Sequence, residues 1–177
     1  VKMSKRAGEF ITMDDLLEEV PKDAARYFFI MRNTSSHLDF DLDLARAQSM
    51  DNPVWYIQYA HARCCSIFRQ AEAAGISSDA WDTADLALLE EPGELDLVRK
   101  MAAFPDEVLS AAIERAPSRI AKYGLDLASL FHSFYNECRV MGDDPALTAA
   151  RLALVDAAKT VIANALNIMG IAAPERM

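Results

Sequence analysis

The sequence predicts a mainly α protein, a helical bundle preceded by a short connector of mixed helix and strand. Three observations predict it. Apolar residues recur three and four positions apart along most of the chain. Asx-Pro starts and glycine stops bracket the longest of these runs. Only 6 glycines and 7 prolines interrupt 177 residues, which favours long helices over many short strands.

Thr12 is a good helix N-cap, with Asp15 three positions on. Met13, Leu16, Leu17 and Val20 follow at helical spacing, and Pro21 ends the run. A second helix is predicted from about Lys22 to Arg32, with Ala24, Ala25, Phe28 and Met31 as its apolar stripe. Leu38, Phe40, Leu42 and Leu44 then alternate with His37, Asp39, Asp41 and Asp43. That period of two predicts a short extended segment, with a helical turn open from Leu42 onward. Asp51-Asn52-Pro53 is a helix start. One long helix is predicted from Val54 to about Ala74, where Val54, Ile57, His61, Cys64 and Phe68 share a face and Gly75 stops it. Further helices are predicted at about 79–89, 94–103, 106–115 and 118–141. Gly142-Asp143-Asp144-Pro145 breaks the chain, and a last helix runs from Ala146 to Met169 with Gly170 beyond it.

A hydrophobic content of 52% can fill a sizeable core, and a charged content of 25% is that of an ordinary globular protein. The length suits one domain, or a domain with an appendage. Cys64, Cys65 and Cys138 form no CxxC pair and no metal-ligand spacing, so reduced thiols and a cytoplasmic location are expected. No apolar run approaches the length that spans a bilayer.

A formal net charge of -9 argues at first against nucleic acid, because phosphate contacts need Lys and Arg. The distribution changes that. Residues 79–97 hold seven acids and no Lys or Arg, so without them the rest of the chain carries only -2. A near-neutral face elsewhere can meet RNA, by shape and base contacts more than by charge.

Three blocks could carry chemistry. Lys2, Lys5 and Arg6 flank Ser4 and precede Gly8 in a basic loop with no evident structural task. Tyr56, Tyr59 and Arg63 are three and four apart, hence on one helix face. Aromatics with a neighbouring Arg can stack and hold unpaired bases. In the third block Tyr135 and Arg139 are also four apart, Asn136 lies beside them, and Phe131, Phe134 and Cys138 fill another face. A frayed terminus would explain the first block equally, and simple core packing the other two. His61 reads equally as a hydrogen-bonded core histidine. Ser133 beside His132 points elsewhere on a helix, so no Ser-His-Asp set is suggested.

Taken in order, these blocks resemble the arginyl-tRNA synthetase family over essentially the whole chain. The strings are Lys2-Met3-Ser4-Lys5-Arg6-Ala7-Gly8, Asp23-Ala24-Ala25-Arg26-Tyr27-Phe28, Ser36-His37-Leu38-Asp39-Phe40-Asp41, Asn52-Pro53-Val54 with Tyr59-Ala60-His61-Ala62-Arg63, the 131–140 block, 152–169, and Pro174-Glu175-Arg176-Met177. The resemblance implies part of a class I aminoacyl-tRNA synthetase. Residues 1–11 would be its signature loop and the tail of a catalytic domain. Residues 12–50 would be a connector, and 51–177 an all-helical anticodon-binding domain of the DALR type.

Certain roles follow from the resemblance. Lys2 and Lys5, with Ser4, would hold the phosphates of Mg2+-bound ATP. Tyr56, Tyr59, Arg63, Tyr135, Asn136, Arg139 and Met177 would meet tRNA-Arg. The family's nucleotide-binding domain, with its arginine pocket, would precede Val1. The chain is therefore expected to be part of a longer protein, and alone to hold no cofactor or metal and to charge no tRNA with L-arginine. The complete enzyme is expected to be monomeric. A stripe of Met13, Leu16, Phe28 and Met31, cut from its packing surface, would favour self-association of this part. Two alternatives stay open. One is the equivalent region of a cysteinyl-type synthetase, whose zinc ligands are not visible; the other is a helical interaction module with no RNA role.

Overall fold

In a computed structural model, residues 12–33 and 39–177 are described. The capping box expected at Thr12 is present. The Asp15 amide donates to Thr12 Oγ1 at 3.1 Å, and the Thr12 amide donates to Asp15 Oδ2 at 2.8 Å. It opens helix α1 (Met13–Glu19). Pro21 then starts α2 (Lys22–Ile30), which buries Ala24, Ala25, Tyr27 and Phe28. The Tyr27 hydroxyl donates to the Ala121 carbonyl at 3.2 Å and so anchors the connector on the bundle.

Of the extended segment expected around Leu38–Leu44, the helical turn left open from Leu42 is the part that forms. His37 and Leu38 lie outside the described residues. From Leu42 the chain is helix α3 (Leu42–Arg46), capped by Asp41, which accepts from the Leu44 amide at 3.0 Å. No strand occurs among the described residues. Asp is a poor strand former and a good N-cap, so Asp41 outweighs a four-residue alternation. An ion pair from Arg46 to Glu19 joins α3 to the end of α1.

Asn52 is buried and works in both directions. Its Oδ1 accepts from the Val54 amide at 3.2 Å, and its Nδ2 donates to the carbonyls of Ala45 and Ala47 at 3.3 and 2.9 Å. It thereby starts α4 (Pro53–Ala73) and ties it to α3. The helix expected over 79–89 is broken into α5 (Asp79–Asp82) and a 3-10 turn (Leu86–Leu88). Thr83 Oγ1 donates back to the Asp79 carbonyl at 2.9 Å, and Asp85 accepts from the Ala87 amide at 3.0 Å. Such side chains compete with the backbone ladder and end it.

Next come α6 (Pro92–Ala102), α7 (Phe104–Glu114), α8 (Ser118–Glu137) and α9 (Pro145–Ile168). Helix α8 stops earlier than expected, because Cys138 is extended at φ -111° and ψ 120°. Helices α4, α8 and α9 pack on one another, α6 lies on α8 and α9, and α2 touches α4 and α8. Ile57, Leu127, Phe131, Phe134, Leu152, Ile162 and Leu166 fill the centre with almost no exposure. Each such side chain contributes about 1.5–3 kcal/mol by leaving water.

The expected connector stripe is exposed only in part. Phe28 is only 5% exposed and packs on Phe40 with ring centroids 5.5 Å apart, while Leu16 and Met31 are half-buried. Met13, Leu17 and Phe29 are the exposed apolar side chains there.

Helix α9 ends in a Schellman motif. Gly170 sits at φ +67°, the Gly170 amide donates to the Asn167 carbonyl at 2.9 Å, and the Ile171 amide to the Leu166 carbonyl at 3.0 Å. The motif reverses the chain, so residues 171–177 run back across α2 and α4.

Candidate functional site

Helix α4 carries Tyr56, Tyr59 and Arg63, and α8 carries His132, Tyr135 and Asn136. Because α4 and α8 pack together, the two sets meet. The Arg63 guanidinium carbon lies 4.9 Å from the Tyr59 ring centroid and 4.6 Å from that of Tyr135. Arg63 Nη2 also donates to the Tyr59 hydroxyl at 2.9 Å. A cation between two ring faces is favourable by about 0.5–1 kcal/mol per ring when partly exposed. It also holds both rings in fixed orientations.

Behind them, His132 lies edge-on to Tyr56, with centroids 4.7 Å apart, and stacks on Tyr59 at 5.8 Å. It is buried, and its Nε2 has no hydrogen-bond partner among the described residues. Burial pushes the His132 imidazole down to about 4, the Arg63 charge pushes the same way, and a hydrogen bond with the Tyr56 backbone opposes both. The ring is therefore neutral at pH 7.

The tail supplies the last wall. Asp23 Oδ2 accepts from the Ala172 amide at 3.1 Å and from Gln58 Nε2 at 3.0 Å. Gln58 also donates to the Ala172 carbonyl at 2.9 Å. A ring nitrogen of His61 is 2.8 Å from the Pro174 carbonyl, and Arg69 Nη1 donates to the Glu175 carbonyl at 3.2 Å. These bonds bring Met177 over the tyrosines.

Two depressions result. One, of about 510 Å³, is lined by Tyr59, Arg63, Tyr135 and Met177 with Arg69 and Arg176. The other, of about 640 Å³, lies beside Met50, Trp55, Tyr56, His132 and Asn136. Tyr59, Arg63 and Met177 line both and so divide them. Six of the expected residues thus converge: Tyr56, Tyr59, Arg63, Tyr135, Asn136 and Met177.

Arg139 does not join them. It follows the end of α8, is exposed, and lines a separate depression of about 230 Å³ with Glu137 and Arg151. Lys2, Ser4 and Lys5 lie outside the described residues. Sequence reasoning missed the lining roles of Arg69 and His132. Arg69 had a signal, since Tyr59, Arg63, Ser66 and Arg69 advance along one helical stripe. The role of His132 depends on which helix packs opposite, and no local pattern carries that.

Among the described residues, no group of three His, Cys, Asp or Glu side chains could hold a metal ion. No helix there is long and apolar enough to cross a membrane. Burial pushes the Cys64 thiol up, away from the reactive thiolate form.

The DALR anticodon binding domain family matches residues 57–177, from the second turn of α4 through the tail. The chain belongs to this family. The matched residues include Tyr59, Arg63, Tyr135 and Met177, while Met50, Trp55 and Tyr56 of the second depression precede them. Over 99% of the chain it is 56% identical to an arginine–tRNA ligase of Symbiobacterium thermophilum, and over its whole length 53% identical to one of Moorella thermoacetica. The chain spans about a third of these relatives, 32% of each. Among solved structures, the arginyl-tRNA synthetase of Thermus thermophilus matches 98% of the chain and 29% of its own, with a TM-score of 0.76 at 30% identity. A structure from Campylobacter jejuni, assigned as an arginyl-tRNA synthetase, matches 100% of the chain and 37% of its own, with a TM-score of 0.87 at 34% identity.

Proposed function

We propose that this DALR domain is the tRNA-recognition part of an arginine–tRNA ligase, and that the divided cleft receives the anticodon loop of tRNA-Arg. The observation that carries this reading is the placement of Arg63 between the faces of Tyr59 and Tyr135 at the foot of an open cleft. Splayed bases need flat partners for stacking and fixed polar groups for their edges. Tyr59 and Tyr135 supply the first. Arg63 and Asn136 supply the second, and Met177 closes the cleft as an adaptable apolar cover.

In the complete ligase, ATP with Mg2+ would activate arginine, and the aminoacyl group would pass to the tRNA 3′ end. Lys2 and Lys5, with Ser4, would stabilise the departing pyrophosphate. The complete enzyme would act as a cytoplasmic monomer. Arg139, at its separate site, would touch the RNA outside the cleft. Recognition through the anticodon adds discrimination that the amino-acid pocket does not supply.

The test is binding of the chain to tRNA-Arg and to a non-cognate tRNA at two salt concentrations. Tyr59→Ala and Tyr135→Ala are measured alongside. Preference for tRNA-Arg, lost in both variants with helicity retained, is expected. Absence of binding to either tRNA would leave a helical interaction module as the better account, and equal binding of both at either salt would overturn selection of tRNA-Arg by the cleft.

A further inference from the structure

Charge is arranged oddly around the first depression. The protein is strongly acidic, with 27 acids against 18 Lys and Arg. Elsewhere four arginines are neutralised: Arg46 by Glu19, Arg99 by Asp96, Arg119 by Glu107 and Glu114, and Arg151 by Glu94, while Arg26, Arg32, Arg115 and Arg139 make no ion pair among the described residues but line no depression together. Arg63, Arg69 and Arg176 all line one depression, and among the described residues none of them makes an ion pair. Arg63 is turned inward and occupied by the tyrosines. Arg69 and Arg176 are exposed at the rim.

Arg69 is also held in place. Its Nη1 donates to the Glu175 carbonyl, which leaves its other N–H groups directed away from that bond. Glu175, the neighbouring acid, bonds it through the backbone and forms no ion pair with it. Three like charges drawn to one cleft of an acidic molecule, without an ion pair among the described residues, fit a ligand that brings negative charge.

We infer that Arg69 and Arg176 form a phosphodiester site at the rim of the cleft, holding the RNA backbone outside while a base lies in the cleft against the Tyr59–Arg63–Tyr135 cluster. This rests on the reading that the cleft takes RNA. The guanidinium fork suits two phosphate oxygens, and contacts of this kind set register without reading sequence.

The experiment measures affinity for tRNA-Arg and a non-cognate tRNA over a series of salt concentrations. The proteins are wild type, Arg69→Gln/Arg176→Gln, Tyr59→Ala, and Arg115→Gln, which removes an exposed charge at the distant end of α7. The double variant should weaken both tRNAs by a similar factor. It should also lower the slope of log affinity against log salt by about 0.7 per lost phosphate contact. Its preference for tRNA-Arg should persist, whereas Tyr59→Ala should lose preference with little change in slope. Circular dichroism checks that every variant is folded. A slope unchanged in the double variant, or lowered equally by Arg115→Gln, overturns the phosphate site and leaves the cleft reading standing. Absence of any RNA binding by the wild type overturns both.

Discussion

Arg151 of α9 donates through Nε to Glu94 of α6 at 2.6 Å, where Glu94 has no exposed surface. Glu94 Oε2 also accepts from the Glu91 amide at 3.0 Å, and Arg151 Nη1 donates to the Arg139 carbonyl at 2.9 Å. One ion pair therefore fixes the start of α6, the second turn of α9 and the turn after α8. Removing one member of a buried pair leaves the other charge without compensation. Glu94→Ala should lower the unfolding free energy by about 3–5 kcal/mol in urea titration. The double replacement Glu94→Leu/Arg151→Met should recover most of that loss. A small effect of Glu94→Ala alone would contradict this account.

Arg115 terminates α7 at φ +51° and ψ +41°, a left-handed conformation that side chains with a Cβ resist. Glycine has no such resistance, although it gains freedom in the unfolded chain. Arg115→Gly should therefore raise stability by about 0.5–1 kcal/mol. The urea midpoint should rise at unchanged slope.

His132 makes stability depend on pH. Its imidazole titrates near 6.5 in an unfolded chain and at about 4 in the fold. Between those values the unfolded chain binds the extra proton, so stability rises with pH there. The His132 contribution is complete above about pH 6.5 and is lost as pH falls toward 4. Its size is at most about 3 kcal/mol, reduced by whatever solvent reaches the ring. His132→Phe should flatten that stretch of the pH–stability curve, and parallel curves for the two proteins would refute it.

Tyr59→Ala should weaken tRNA-Arg binding by roughly 5- to 150-fold, the range for loss of one base–aromatic stack. Deleting Arg176 and Met177 should weaken it too, with the bundle's thermal transition unchanged. Both residues are exposed and make no hydrogen bond to the bundle among the described residues.

Asp23→Ala removes the acceptor shared by the Ala172 amide and Gln58. The tail should loosen while α4, α8 and α9 keep their packing. Faster amide exchange at Ala172, with tRNA affinity reduced and helicity retained, is the expected result. Protection unchanged at Ala172 would show that Ile171 with the bonds from Gln58, His61 and Arg69 pins the tail without Asp23.

Much of the fold was legible because its signals are local. Thr12, Asn52 and Gly170 mark ends that the structure keeps, and the buried face of α4 follows from Val54, Ile57, His61 and Cys64. The failures came where short-range chemistry outweighed periodicity. Asp41 decided for the helical turn that the alternation had left open, and Thr83 and Asp85 broke an apolar run. Tyr59 with Arg63 was legible as a pair, since both sit on one helix. Arg139 was not separable from Tyr135, because only the end of α8 at Glu137 decides whether an i, i+4 pair shares a face. The rim arginines depend on a chain reversal at Gly170, and nothing near Arg69 in sequence foretells that Glu175 lies beside it.

The bond from the Ala172 amide to Asp23 spans 149 positions. On a ribosome, Tyr59, Arg63 and Tyr135 are made while the residues that wall them in are still untranslated. At roughly 5–20 residues per second the delay is some seconds. A nascent or prematurely released chain thus carries the rings without their cover and without Arg176. Under the proposed reading, competence to hold the ligand arrives only once residues 171–177 have been made, so a polypeptide that stops short of them would be a poor competitor for tRNA.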